Sequence, residues 1–474
     1  MQVIAELSRR EMLRRAACGF GSLALAGLAA EAASPAQAAE SADPLAARLP
    51  HHPPRAKRVI FIFMQGGPSQ VDTFDHKPRL EKENGERVRF KVARTRKVTP
   101  EKVMQSPWKF ARHGECGQWV SDLFPEVARH VDDLCFLQGM HTEGVAHGPA
   151  TLFLHTGATN LVRPSVGSWI TYGLGTENRN VPGFITLNPS AANGGPRNYS
   201  NSFLPTVYQG TVLGRAGLPA EQARFDHVGN AALAQTEQEQ RFALLQSLNR
   251  EQARHAAGGD ELNAVIDSFE LAFRMQAHAP GMMDFSKESR ATRALYGIDE
   301  KPTHDFGVQC LLARRMAEAG VRYVQISYAD NTANPRWDQH SNIKAHATHA
   351  RATDKPVAGL LADLKARGLL EDTLVWWGGE FGRCPFAENS DGRDHNPNGF
   401  TIWLAGGGVK PGFSWGETDE YGYDAVTGKV HMHDLHATVL HLLGLDHKQL
   451  TYQYAGRDFR LTDVAGNVVH EIIA

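Results

Sequence analysis

Aspartate, glutamate and histidine stand at the ends of apolar runs in this chain, where a fold can bring them together. Trp337-Asp338-Gln339-His340 follows the run Val321–Ser327, and Gly378-Gly379-Glu380-Phe381-Gly382-Arg383 follows Thr373–Trp377. Gly392-Arg393-Asp394-His395-Asn396-Pro397 precedes another run at Gly399–Leu404. Imidazole and carboxylate groups supplied by separate loops bind divalent metals such as zinc or manganese, with calcium as a third candidate. Asp338, His340, Glu380 and His395 are the expected ligand set. Arg383 and Arg393 have the paired donors to hold an anionic substrate group, or to form a structural ion pair. His433-Asp434 reads as a helix start with Asp434 as the N-cap, and His346 and His349 read as surface or packing residues of a helix.

The elements that must position these groups follow from hydrophobic pattern. Arg58–Met64 is a continuous apolar run, as expected of a strand buried on both faces, and it stops at Gln65-Gly66-Gly67-Pro68-Ser69. Strands are also expected at 134–137, 321–327, 373–377 and 399–404. Helices are expected over 305–319, 345–368 and 434–443, with Gly320, Gly368 and Gly444 as stops. Residues 120–160 otherwise read as helical. Residues 185–220, rich in Asn, Gly, Pro and Ser, read as long loops or a lid, and 237–275 as a polar helical stretch. The alternation of strand and helix implies an α/β fold, with a large, mostly parallel central sheet and helices on both faces. Loops at the carboxyl ends of such strands converge on one edge.

The chain has 474 residues and a net charge of -2. Near-neutrality argues against a general nucleic-acid binder, and no segment after the leader has the length of a membrane span. Ser8-Arg9-Arg10, a Gly- and Ala-rich apolar stretch, and Pro35-Ala36-Gln37-Ala38-Ala39 together read as a twin-arginine signal peptide over 1–39. That predicts export by the twin-arginine machinery to the periplasm or beyond. Residues 40–54 read as a linker and 55–474 as one domain with a loop and helical insertion near 190–298. Of five cysteines, Cys18 falls in the leader. Cys116, Cys135, Cys310 and Cys384 lack metal-binding spacing and leave room for one or two disulfides.

Taken in order, Met64-Gln65-Gly66-Gly67-Pro68-Ser69, Trp337-Asp338-Gln339-His340, Gly379-Glu380-Phe381-Gly382-Arg383, Gly392-Arg393-Asp394-His395 and Asp434-Leu435-His436-Ala437-Thr438 resemble the DUF1501 family over nearly all of the chain beyond the leader. That family is similar to the alkaline phosphatase and sulfatase superfamily. The resemblance implies an alkaline-phosphatase-like core with a metal-assisted hydrolytic site at the carboxyl edge of its sheet. The superfamily's first strand ends in a metal-binding Asp, whereas Gln65 stands here and joins Arg383 and Arg393 as a candidate for holding substrate. Its nucleophile lies ten residues before the Gly of a Thr-Gly pair, and counting back from Thr156-Gly157 reaches His147. His147 is thus the implied catalytic group, as imidazole nucleophile or general acid/base, with Glu380 as ligand or orienting group. Asp338, His340 and His395 match the ligands of one metal site, while the positions of the other, which sulfatases use, are largely replaced. The chain therefore reads as a metal-dependent hydrolase of sulfate or phosphate esters, on a small molecule or a polysaccharide. The alternative is a binding or structural protein that keeps the fold without the reaction.

Overall fold

The strand Arg58–Met64 is buried along its whole length, and its side chains alternate between two apolar layers. Ile60, Ile62 and Met64 enter one cluster, and Val59, Phe61 and Phe63 enter the other. A period of two with both faces apolar requires a cover on each side. The helices His304–Glu318 and His346–Ala366 cover the first face through Phe306, Leu311, Leu312, Leu360 and Leu364. The helices Val166–Leu174 and Met432–Leu442 cover the second through Trp169, Ile170, Leu435 and Val439.

The computed structural model describes residues 44–223, 233–255, 259–332, 334–388 and 390–474. The leader expected over 1–39 lies outside the described residues. Residues 45–474 form one compact unit, so the segment read as a linker belongs to the body from Leu45 onward. Leu45 is buried, the Arg48 amide donates to the Leu174 carbonyl, and the His52 amide donates to that of Gly444.

Among the described residues, the central sheet has nine strands. Its order across the sheet is Phe413–Trp415, Leu134–His141, Phe400–Ala405, Thr373–Gly378, Arg58–Met64, Tyr323–Tyr328, Phe184–Leu187 and Thr211–Leu213, with Val430–His431 pairing beside Met140–His141. Phe400–Ala405 runs antiparallel to both neighbours, and all the other pairings are parallel. The fold is α/β with a large, mostly parallel sheet and helices on both faces. Among the described residues, no helix is long and apolar enough to cross a membrane.

Three local expectations change. Residues 185–220 are not loop throughout: Phe184–Leu187 and Thr211–Leu213 extend the sheet at one edge. The helical pattern of 120–133 resolves into a hairpin strand, Gln118–Ser121, and a 3-10 turn, Val127–Asp133; the strand that follows runs on to His141. The polar stretch after 235 is two helices, Gln235–His255 and Gly259–Met283, stacked through Phe242 and Phe273. Among the described residues, Cys116, Cys135, Cys310 and Cys384 are unpaired. Cys310, Cys135 and Cys384 are buried in three separate apolar clusters, so no two of them can meet.

Candidate metal centre

Five segments converge at the carboxyl ends of Arg58–Met64, Tyr323–Tyr328 and Thr373–Gly378. They are the turn after Met64, the loop bearing Asp338 and His340, the segment at Glu380, the hairpin Gly382–Ala387/Arg393–Asn396, and the start of the helix His147–Thr156. Two glycines let them approach. Gly66 sits at φ +110°, and a Cβ there would lie 2.8 Å from the backbone nitrogens of both Trp337 and Asp338. A Cβ on Gly392 would lie 1.9 Å from the His340 carbonyl carbon. The Asp338–His340 loop is thus clasped between the first turn and the hairpin, in contacts that only glycine permits. In the hairpin, Arg383 pairs directly with His395.

The converging side chains centre on one carboxylate oxygen. Asp338 Oδ1 lies 2.7 Å from His340 Nε2, 3.2 Å from His147 Nε2 and 3.2 Å from His395 Nε2. The Nε2 atoms of His340 and His395 are 3.1 Å apart. These four residues form a group with the spacing of a metal site. Each ring is held from behind by its other nitrogen. His147 Nδ1 faces Glu380 Oε1 at 2.6 Å, His395 Nδ1 faces the Val145 carbonyl at 2.9 Å, and His340 Nδ1 faces Glu388 Oε2. All three backing atoms are acceptors, so each Nδ1 carries the proton and each neutral ring presents an Nε2 lone pair to the centre. Three lone pairs and a carboxylate facing one another repel unless protons or a cation stand between them. The buried His147 Nε2 has no hydrogen-bond partner. Three imidazoles and one carboxylate, each ring backed by an acceptor, is the donor chemistry of a zinc- or manganese-type site with its supporting shell.

The electrostatics agree. Burial alone would raise the Asp338 pKa, but the close approach of His147, His340 and His395 and the charge of Arg383 outweigh it and hold the group well below the carboxylate range. Burial opposes a charge on His147, but Asp338 and Glu380 overcome it and raise that pKa. Asp338 and then Glu388 raise that of His340 against a smaller burial effect. His395 goes the other way, lowered chiefly by burial and further by the charge of Arg383, against the pull of Asp338. Asp338 and His147 are enclosed, with side chains 2% and 8% exposed, while the His340 side chain is 22% exposed and marks the open side.

The surroundings of each expected site residue differ. His147, implied as nucleophile or proton carrier, has one nitrogen committed to Glu380 and the other aimed into the cluster. Glu380, expected as a ligand or an orienting group, stands behind His147 in the second of these places: it is wholly buried and accepts the Gly66 amide at 3.0 and 3.1 Å through its two oxygens. Neither arginine reaches solvent. Arg393 grips Asp72 with Nε at 2.7 Å and Nη2 at 3.2 Å, and donates further to the carbonyls of Cys384, Met104 and Gln105. Arg383 pairs with Asp338 at 2.7 Å and donates to the carbonyls of Gly66, Gly67 and Arg393. The structural ion pair, not the substrate clamp, is what the geometry supports. Gln65 is also buried, with its Oε1 accepting the Asp330 amide at 3.1 Å.

The C-terminal histidines serve the fold. His433 Nε2 donates to the Gly157 carbonyl, and His436 Nε2 to that of Leu154. Asp434 is not the N-cap. His431 is, and Asp434 closes a capping box by accepting the His431 amide at 2.9 Å. His346, wholly buried, accepts the Ser69 amide. Pattern reading missed Glu388, the Val145 carbonyl and the Gly66 amide. A backbone group has no sequence signal, and Glu388 lies in a hairpin turn with only its charge to mark it.

The chain belongs to the DUF1501 family, described as a protein of unknown function, whose model matches residues 56–473. No curated protein sequence matches it. Among solved structures, it is similar to the lipoteichoic acid synthase LtaP from Listeria monocytogenes, with 9% identity, a TM-score of 0.35, and 88% of this chain and 79% of that one covered. It is also similar to the PsFucS1 sulfatase from Pseudoalteromonas sp., with 11% identity, a TM-score of 0.33, and 82% and 68% covered. A third likeness is to an alkaline phosphatase from the Antarctic bacterium TAB5, with 9% identity, a TM-score of 0.32, and 82% and 98% covered. At scores this low, the function has to be argued from the geometry of the site itself.

Proposed function

We propose that this chain is a metal-dependent hydrolase of sulfate or phosphate esters that works with a single divalent metal. The observation that carries the metal is the set of three imidazoles, each backed at Nδ1 by an acceptor and each directing Nε2 toward Asp338 Oδ1. The ester class rests on the motif resemblance and on the site's place at the carboxyl edge of a parallel sheet. His147, Asp338, His340 and His395 would hold the metal; a set with three nitrogen donors suits zinc or manganese better than calcium, which prefers oxygen. A divalent cation there supplies Lewis acidity toward an ester oxygen and toward water.

The chain's own residues do the rest. Glu380, Glu388 and Val145 fix the three tautomers. Arg383 neutralises part of the Asp338 charge and keeps that carboxylate ionised. The clasp of Gly66 and Gly392 on the Asp338–His340 loop keeps the donor atoms in place. With Nδ1 on Glu380 and Nε2 among the atoms that would hold the metal, His147 would have no nitrogen left for attack, and the nucleophile would be water. Export by the twin-arginine signal is part of the same proposal and places the enzyme in the periplasm or outside the cell.

One observation favours a second reading, a metal-holding binding protein without turnover: the nucleophile implied at His147 is committed elsewhere. Assay of the full chain on aryl phosphates and aryl sulfates, with zinc or manganese added, decides between them. Turnover that disappears in His340→Ala supports the hydrolase. Stoichiometric metal without turnover on either ester class gives the site to the binding reading.

A further inference from the structure

Beside the metal centre lies an open cleft of about 980 Å³, at the upper end of the roughly 300–1,000 Å³ typical of small-molecule pockets. Its walls come from the tip of the hairpin Arg87–Lys91/Val98–Lys102, the loop after His141, the turn at Pro397–Asn398, and the segment Asp424–Lys429. Two ties join it to the metal shell. Val145 lines the cleft and receives His395 Nδ1 on its carbonyl. The hairpin tip that carries Arg96 also carries Arg94, which pairs with Glu388, the group behind His340.

The charges in this cleft are unevenly matched. Its carboxylates have partners: Asp424 accepts Asn398 Nδ2 at 2.9 Å, and Glu143 faces His431 at 3.8 Å. Its cations, Lys91, Arg96 and Lys429, are exposed; among the described residues none lies within ion-pair distance of a carboxylate, and Lys91 and Lys429 act on Asp424 only through their charge at longer range. Arg96 is held at φ +57°, in the left-handed region that favours glycine. Thr142 lines the cleft, 9% exposed, with its hydroxyl buried and without a hydrogen-bond partner. Exposed cations lining a polar cleft beside a proposed ester-hydrolysing centre suit a ligand that carries several anionic groups on a polar scaffold.

We infer that this cleft binds an oligosaccharide carrying several sulfate or phosphate groups, with Lys91, Arg96 and Lys429 holding anions other than the one at the metal centre. The inference rests on the ester-hydrolase reading and names its substrate class: an ester that is one of several along a sugar chain, rather than a small isolated one.

Calorimetric titration of the full, metal-loaded chain with dextran sulfate oligomers of one to six sugars tests it. Phosphorylated dextran oligomers of the same lengths separate sulfate from phosphate, and uncharged dextran and inorganic polyphosphate separate sugar from charge. The expected result is affinity that rises with length, weakens with salt, and falls about tenfold in Arg96→Glu/Lys429→Glu, since each reversal turns an attraction into a repulsion. Arg290→Glu/Lys301→Glu, the same charge change elsewhere on the surface, should leave it unaltered. Affinity independent of length, unchanged in Arg96→Glu/Lys429→Glu, or equal for polyphosphate and sulfated dextran would overturn the inference. Hydrolysis of simple aryl esters, measured separately, reports on the hydrolase reading. Aryl-ester turnover without length-dependent binding sinks the cleft alone, and length-dependent binding without any ester turnover sinks the hydrolase.

Discussion

Replacing Glu380 by Gln tests the tautomer logic of the site with almost no change in shape. The carboxylate is fully buried and acts only as acceptor: His147 Nδ1 meets it at 2.6 Å, and the Gly66 amide lies 3.0 and 3.1 Å from its two oxygens. Glutamine offers one oxygen and one NH2 group. If the oxygen keeps His147, the NH2 confronts the Gly66 amide, and a buried donor is stranded at a cost of about 1–3 kcal/mol. If the oxygen keeps Gly66, His147 must move its proton to Nε2, where it blocks the lone pair aimed at the metal. Loss of such a backing group weakens metal binding by about 10–100-fold, or ~1.4–2.8 kcal/mol. Competition of the Glu380→Gln variant with a chromophoric zinc chelator at pH 7.5 measures this directly, and its thermal midpoint without metal should fall as well. Zinc affinity within about twofold of the parent, with the fold intact, would refute the claim that Glu380 sets the His147 tautomer.

Metal affinity should fall as the pH falls, because His147 and His340 have raised pKa values and take up protons readily in the metal-free chain; calorimetry across pH 6 to 8 should show proton release on binding. Arg393→Met should destabilise the chain by about 3–5 kcal/mol by leaving Asp72 charged, buried and unpaired, whereas a substrate-clamp role would raise KM and leave denaturant unfolding unchanged. Burial lowers His155 to about 4 and His436 to about 3, and both are held neutral in the folded chain. A base with a depressed folded pKa stabilises above its unfolded value near 6.5 and loses that contribution as the pH falls toward the folded one. Stability should therefore decline from pH 6.5 toward 4, and His155→Phe should flatten the slope in urea titrations. Gly66→Ala should cost both stability and bound metal, since the new methyl meets two backbone nitrogens at 2.8 Å; a variant with parental zinc stoichiometry and melting would remove the clasp from the account.

The sheet was legible where strands are long and apolar on both faces, as at Arg58–Met64 and Thr373–Gly378, and so were the helix ends, where Gly320, Gly368 and Gly444 take positive φ. It was obscure at its edge. Phe184–Leu187 and Thr211–Leu213 are short strands among turn-forming residues, and they are strands because a neighbouring strand offers them hydrogen bonds. In the site, Asp338, His340 and His395 stood out because metal-binding residue types lay in loops at strand ends. The separate roles of His147 and Glu380 did not, since ligand and supporting group use the same side chains and differ only in depth. The two arginines show the limit of charge as a signal: the same guanidinium suits a substrate anion or a buried carboxylate, and only burial tells them apart. Glu388, 48 residues from the histidine it backs, has no periodicity to announce it.

The proposed function requires one divalent metal at Asp338, His147, His340 and His395. Equilibrium dialysis of the metal-free chain against zinc, with bound metal counted by elemental analysis, tests that most directly. One equivalent per chain in the parent, and none in His340→Ala/His395→Ala with the fold preserved, is the predicted result. A parent chain that retains no zinc, or a double variant that retains a full equivalent, would contradict it.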